Sequence, residues 1–271
     1  MVRFFLSFFL ILAAGLSHSD EIAPIERILT VNAINGTKQA GVLSNLPNAQ
    51  APSILVVIIP GHPTMLRASA NSLTGKIELQ HPGSFVVRER LRLLDADIVT
   101  LAIDCRSDFY AVCSDDYQMS EQRYKDVLPL MEAAKNTFPS IKQVWLLSTS
   151  RGFLSSAGFT KYSGDYFTGI IHTAGTTDLL ERYPGAIAKS ATPQYFYHHL
   201  DDPCFITKHA TAKATAQNLD AALITVTGGS GFYGGACQAN TQHGFKGVED
   251  KVMAHIARLM KTGRVDTLQT Q

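Results

Sequence analysis

Val144-Trp145-Leu146-Leu147 runs directly into Ser148-Thr149-Ser150-Arg151-Gly152, and then into Phe153-Leu154-Ser155-Ser156-Ala157-Gly158. An apolar strand ending in a serine, with a small residue two places away on each side and a helix at once behind it, is the sequence form of a nucleophile elbow. The serine of an elbow is held in a strained backbone conformation at the strand tip, where strand and helix approach so closely that only small residues fit beside it. The usual pattern is G-x-S-x-G, and here Ser148 takes the place of the first glycine. Ser150 is therefore the candidate nucleophile, against the plain alternative of an ordinary strand-to-helix turn.

An elbow is completed by an acid after a later strand and by a histidine beyond it. Pro193-Gln194-Tyr195-Phe196-Tyr197 reads as a buried strand and leads into His198-His199-Leu200-Asp201-Asp202-Pro203-Cys204. Either aspartate at that strand end can orient a histidine. A second apolar run, Ala222 to Thr227, is followed by a glycine-rich loop and Gln242-His243-Gly244-Phe245. Of the nine histidines, His243 alone lies after the last strand and directly before the last helix, where the base belongs. Ser53 to Ile59 is an earlier strand with the loop Pro60-Gly61-His62-Pro63 behind it. Pro63 has no N–H, so the expected oxyanion donors are the backbone amides of His62 and Arg151. The side chain of His62 reads as a loop histidine near the pocket mouth.

Strand and helix patterns alternate along the chain, which is the signature of an α/β fold with a mostly parallel central sheet and helices on both faces. Glu26 to Ala33 and Gln39 to Leu46 read as leading strands joined through the hairpin signal Asn35-Gly36. Ile98 to Ile103 and Gly169 to His172 add strands; helices are expected near Phe85 to Asp95, Ser120 to Thr137, Thr207 to Leu219 and Val248 to Met260. The segment between the strands ending near His172 and beginning near Pro193 is too short for a large lid domain. The longer insertion, Pro63 to Pro82, is expected to border the pocket. An open site of this kind favours small or soluble substrates over long-chain lipid.

Two patterns invite other readings. Gly229-Ser230-Gly231-Phe232-Tyr233-Gly234 fits G-x-G-x-x-G, yet loop residues follow it where a dinucleotide site needs a helix N-terminus. The loop is better read as shaping the pocket, with Phe232 and Tyr233 as walls. His198-His199 with Asp201-Asp202 resembles a metal-ligand cluster, but adjacent residues on a strand point to opposite faces. No metal and no cofactor is expected.

Arg3 and the apolar run Phe4 to Leu16, followed by Ser17-His18-Ser19, form a signal peptide over residues 1–19, leaving 20–271 as a single domain. The run is too short for a stable membrane anchor, which needs about 20 residues. Loss of Arg3 brings the 24 basic and 23 acidic residues into balance, and without a basic run there is no footprint for nucleic acid. The oligomeric state is not legible. Export, to a periplasm or the extracellular medium, makes the four cysteines disulfide partners, with three pairings open.

Taken together, these features resemble the α/β-hydrolase superfamily, in particular little-characterised secreted bacterial serine hydrolases. The resemblance rests on Pro60-Gly61, on Thr149-Ser150-Arg151-Gly152, on the segment His198 to Cys204, and on Cys237 through His243-Gly244-Phe245. It extends from about Ile25 to about Met260. It implies the α/β-hydrolase fold and a Ser150, Asp202, His243 triad, Asp202 being favoured over Asp201 because proline follows the acid in that pattern. It also implies an acyl-enzyme mechanism, most simply on carboxylic esters that are small or soluble. A peptidase or amidase on the same fold and a non-catalytic binding protein are the alternatives. Cys105 and Cys113 flank one short loop, and a triad would bring the Cys204 and Cys237 loops together, so the expected bridges are Cys105–Cys113 and Cys204–Cys237.

Overall fold

The structure is a computed structural model that describes residues 23–268. The expected signal peptide, 1–19, lies outside those residues. The strands are β1 (Ile25–Asn32), β2 (Lys38–Asn45), β3 (Ile54–Ile59), β4 (Ala68–Ala70), β5 (Ile77–Leu79), β6 (Ile98–Ile103), β7 (Gln143–Thr149), β8 (Gly169–Thr173), β9 (Gln194–His199) and β10 (Ala222–Val226). The helices are α1 (Phe85–Arg88), α2 (Asp115–Met119), α3 (Glu121–Thr137), α4 (Phe153–Tyr162), α5 (His209–Asn218) and α6 (Glu249–Thr262).

Eight strands form one sheet in the order β1-β2-β6-β3-β7-β8-β9-β10. β1 and β2 pair antiparallel, as do β2 and β6, and every pairing from β6 to β10 is parallel. The β1–β2 turn uses the Asn35-Gly36 signal directly, with φ of 55° and 75° at the two residues. β4 and β5 pair with each other inside the insertion after β3.

The period of two along each strand divides the core between the two faces. Ile54, Val56 and Ile58 point to one face, where they pack with Phe85, Val86 and Val87 of α1 and with Val252, Met253, Ile256 and Leu259 of α6. Leu55, Val57 and Ile59 point to the other, against Val127, Leu130 and Met131 of α3 and Phe159 of α4. Ala216 of α5 joins Phe153, Leu154 and Phe196 in a third cluster on the flank of α4. Strands covered on both faces need apolar residues throughout, which is why β3 and β6 are buried at every position.

Beyond the added elements β4, β5 and α2, two of the expected elements differ from the sequence reading. The helix near Phe85 to Asp95 is broken at Glu89 (φ −97°, ψ 4°) into α1 and a single 3-10 turn, Arg90–Leu93. The Glu89 carboxylate accepts hydrogen bonds from both sides of that break, from Arg88 and Arg92 at 2.6 Å each. β9 also runs two residues further than its apolar core, through His198 and His199. Both histidines are buried, so polar side chains continue the strand without leaving the sheet.

Candidate active site

The tip of β7 bends sharply into α4 through a 3-10 turn at Ser150–Gly152. Ser150 has φ of 50°, the left-handed region that a non-glycine residue occupies at a cost. The small flanking residues have separate reasons. A Cβ on Gly152 would lie 2.4 Å from the Pro60 carbonyl oxygen and 2.8 Å from that of Ile59, so any side chain there would push the elbow off β3. At the other flank the hydroxyl of Ser148 is used: it lies 2.7 Å from Ser156 Oγ, which lies 2.9 Å from Nδ1 of His172. His172 Nε2 meets Gln194 Oε1 at 3.2 Å, and Gln194 Nε2 donates to the Ala188 carbonyl at 3.0 Å. Burial lowers the pKa of His172 to about 4, so its ring is neutral. Nε2–H donates to the Gln194 oxygen, which leaves Nδ1 as an acceptor; the Ser156 hydroxyl proton is shared between Nδ1 and the Phe153 carbonyl at 3.0 Å, and Ser156 accepts from Ser148. The extra hydroxymethyl of Ser148 thus enters a satisfied buried chain of donors.

His243 lies in a 3-10 turn, Gln242–Gly244, whose preceding residue Thr241 accepts the His243 N–H at 3.1 Å. Gly244 is required there, because a Cβ would stand 2.0 Å from the Ala239 carbonyl oxygen. His243 Nε2 is 3.0 Å from Ser150 Oγ, and its Nδ1 is 3.0 Å from Asp202 Oδ2. The Asp202 side chain is fully buried. Its Oδ1 accepts the Cys204 N–H at 2.9 Å, and its Oδ2 accepts the Thr207 hydroxyl at 2.8 Å. Asp201 is exposed and turns away from His243, its backbone N–H bonded to His199 Nδ1 at 3.0 Å.

The neighbouring histidines are occupied by backbone groups. His199 Nε2 donates to the Gly228 carbonyl at 2.9 Å, and His198 Nε2 accepts the Gly175 N–H at 3.1 Å. Burial holds His198 neutral, with its pKa lowered to about 3. Among the described residues, no group of three or more histidine, cysteine or acidic side chains is arranged to hold a metal ion.

The loop after β3 packs against the elbow. A Cβ on Gly61 would be 3.2 Å from Ser150 Cβ, so Gly61 lets the loop backbone approach Ser150 closely. His62 and Ser150 line the same cavity, of about 350 Å³. Burial first, and then the nearby Arg151 charge, lower the His62 pKa below its ordinary value. Arg151 is anchored by its side chain, which grips both oxygens of Asp115 at 2.8 Å and 2.5 Å.

The far wall of the cavity corrects two expectations. It is formed by Gly83, Ser84 and Phe85 on one side and by Cys237 to Asn240 on the other. Phe232 and Tyr233 do not line it. Phe232 lies over Gly229, whose added Cβ would be 3.3 Å from its ring, and Tyr233 is 62 % exposed with its N–H on the Asn240 carbonyl. The Pro63 to Pro82 insertion does not line it either; it folds on itself through β4 and β5, and the cavity is lined by the residues on its two flanks, Gly61 and His62 before it and Gly83 to Phe85 after it. Both expected disulfides are present, Cys105–Cys113 and Cys204–Cys237. The second ties the turn that holds Asp202 to the cavity wall.

Three side chains around the site carried no sequence signal: Thr207, Asp115 and Tyr183, whose hydroxyl donates to Asp115 at 2.9 Å. Each reaches its partner through the packing of distant segments, with no motif to mark it.

No protein-family model matches the sequence, and no curated protein matches it. Solved structures do. An alpha-beta serine hydrolase homologue from Coxiella burnetii superimposes with a TM-score of 0.55 at 14% identity, over 86% of this chain and 95% of that one. Brefeldin A esterase, a bacterial homologue of human hormone sensitive lipase, gives 0.62 at 14% identity over 94% and 80%. The chain has the α/β-hydrolase fold. Est1E from Butyrivibrio proteoclasticus, with a TM-score of 0.57 and 13% identity over 86% and 97%, is a further example. Within the α/β-hydrolase fold, a strand order that places β3 and β7 side by side brings the Pro60 loop and the elbow together at the carboxyl ends of parallel strands. Among the described residues, no helix is long and apolar enough to cross a membrane.

Proposed function

We propose that the chain is an exported serine hydrolase acting on small or soluble carboxylic esters, with Ser150 as nucleophile, His243 as base and Asp202 as the acid that orients it. The observation that carries this reading is the unbroken path from Ser150 Oγ through His243 to Asp202 Oδ2, two contacts of 3.0 Å each. An acceptor-only carboxylate facing Nδ1 keeps the proton on that nitrogen, so Nε2 presents its lone pair to the serine hydroxyl.

As Ser150 Oγ bonds to the ester carbon, its proton passes to His243 Nε2 and the carbonyl π pair moves onto oxygen. The backbone amides of His62 and Arg151 stabilise that oxyanion. Collapse breaks the bond to the alcohol oxygen, which takes the proton from Nε2. Water then attacks the acyl-enzyme and gives its proton to His243; the second collapse breaks the Ser150 ester bond and returns the proton to the serine.

The esterases among the solved structures of the same fold favour ester chemistry, and a cavity of about 350 Å³ suits a short acyl group. Export is supported by the two disulfides and by the expected signal peptide. A fluorophosphonate probe tests the chemistry, and a paired panel of esters and matched amides tests the bond cleaved. Labelling with ester turnover and little amide turnover is expected; an unlabelled, inactive folded protein would point to a binding role instead.

A further inference from the structure

Thr207 is fully buried and lies between the Asp202 turn and α5. Its Oγ1 stands 2.8 Å from Asp202 Oδ2 and 3.2 Å from His243 Nδ1, while Nδ1 itself is 3.0 Å from the same carboxylate oxygen. Three polar atoms therefore close a triangle on the side of His243 away from Ser150.

The proton positions in that triangle follow from chemistry. An ionised carboxylate only accepts, so the short contact between Thr207 and Asp202 uses the single hydroxyl proton. The lone pairs of Oγ1 remain for His243, and the Nδ1–H has two acceptors, Asp202 Oδ2 and Thr207 Oγ1. We infer that Thr207 is a positioning residue of the catalytic apparatus: it fixes the carboxylate and the tilt of the His243 ring together, and it shares the Nδ1–H when the ring becomes an imidazolium. This inference rests on the reading of Ser150, Asp202 and His243 as a triad.

A purely structural role fits the contacts less well. The turn from Cys204 to Thr207 is already closed by the backbone, Thr207 N–H to Cys204 O at 3.2 Å, whereas the hydroxyl reaches that carbonyl only at 3.4 Å. The main chain of Thr207 also faces His198, whose Nε2 accepts from Gly175 and whose proton is therefore on Nδ1. The titratable groups in hydrogen-bond reach of the hydroxyl are Asp202 from the turn and His243 from its own loop; the ring of His198 on β9, itself near Asp202, His209 and His243, faces the Thr207 main chain. His198 is neutral, so Asp202 and His243 set the electrostatics of the hydroxyl.

Thr207→Val keeps the shape and removes the hydroxyl, and Thr207→Ser keeps the hydroxyl and removes the methyl. With an ester that the wild type hydrolyses, Thr207→Val is expected to lower kcat about tenfold at unchanged KM, the scale of one net hydrogen bond in the transition state. Thr207→Ser should stay within about twofold of wild type, on the same scale. The fluorophosphonate labelling rate of Ser150 should fall and recover in parallel. Wild-type kcat in Thr207→Val, a loss carried by KM alone, or a serine variant as slow as the valine variant would each overturn the inference. If Thr207→Val fails to fold, Thr207→Ser decides by itself: near wild-type labelling supports the role, and a tenfold loss refutes it. A wild-type protein that is not labelled at all counts against the triad reading; a labelled wild type with an unaffected Thr207→Val counts against Thr207 alone.

Discussion

The guanidinium of Arg151 grips both oxygens of Asp115, Nε to Oδ1 at 2.8 Å and the terminal nitrogen to Oδ2 at 2.5 Å. The residue whose backbone amide is proposed to hold the oxyanion is thus tied by its side chain to α2, and Tyr183 braces the same carboxylate. A planar fork matched to a carboxylate fixes direction as well as distance. Asp115→Asn is expected to lower kcat by about tenfold with little change in KM, and Arg151→Lys should not preserve activity because an ammonium lacks the fork. Steady-state kinetics on an ester checks both, and a fully active Arg151→Lys would separate the ion pair from the oxyanion site.

Ser150→Ala is expected to abolish fluorophosphonate labelling and to reduce ester hydrolysis by at least roughly a thousandfold, with the fold intact. Ser148 and Ser155 are fully buried, Ser148 within the His172 chain, and should remain unlabelled in the wild type. Mass spectrometry of the labelled peptide locates the adduct. An adduct on either control residue, or labelling retained in Ser150→Ala, would remove Ser150 from the mechanism.

Asp202→Asn should lose far more activity than Asp201→Asn. The first replaces the oxygen that meets His243 Nδ1 at 3.0 Å, and the second changes an exposed side chain. Circular dichroism of the two variants should be alike, so that the comparison reports on the site. The reverse ranking would shift the acid by one residue.

Two buried histidines set an acid limit on stability. His172 and His198 have pKa values lowered to about 4 and about 3, burial being the main cause. Above pH of about 6.5 both states carry neutral rings and nothing changes with pH. Below it the unfolded chain takes up protons that the folded chain refuses, so stability falls with falling pH, at most about 1.4 kcal/mol per pH unit for each ring, until the folded pKa is reached. Urea midpoints should therefore drop between pH 7 and pH 5, and His172→Gln should flatten the slope. An unchanged slope in that variant would mean that other groups govern the acid limit.

What was legible in the sequence was whatever a local string can hold. The smallness of Gly152 is forced by the Pro60 carbonyl beneath it, and the apolar run of β3 by burial on both faces, so each leaves a mark within a few residues. The order of Ser150, Asp202 and His243 along the chain follows from strand order and is likewise carried by short segments. What separates Asp201 from Asp202 is visible only in three dimensions, where Asp202 meets His243 and Asp201 is exposed to solvent. The cavity walls were misread at Phe232 and Tyr233, because a glycine-rich loop can follow many paths and composition does not say which side chains face inward. Thr207 and Asp115 were invisible for a related reason: their partners lie 36 residues away in the chain, His243 and Arg151.

Ser150 stands at φ of 50°, where its Cβ carries a steric cost. A glycine there would meet that backbone without the Cβ penalty, so Ser150→Gly should melt at a higher temperature than the wild type, by a free energy on the order of 1 kcal/mol. Differential scanning calorimetry reads the difference directly. Any screen that ranks variants of this chain by heat resistance alone will therefore reward the loss of the proposed nucleophile, and thermal selection needs a turnover assay beside it.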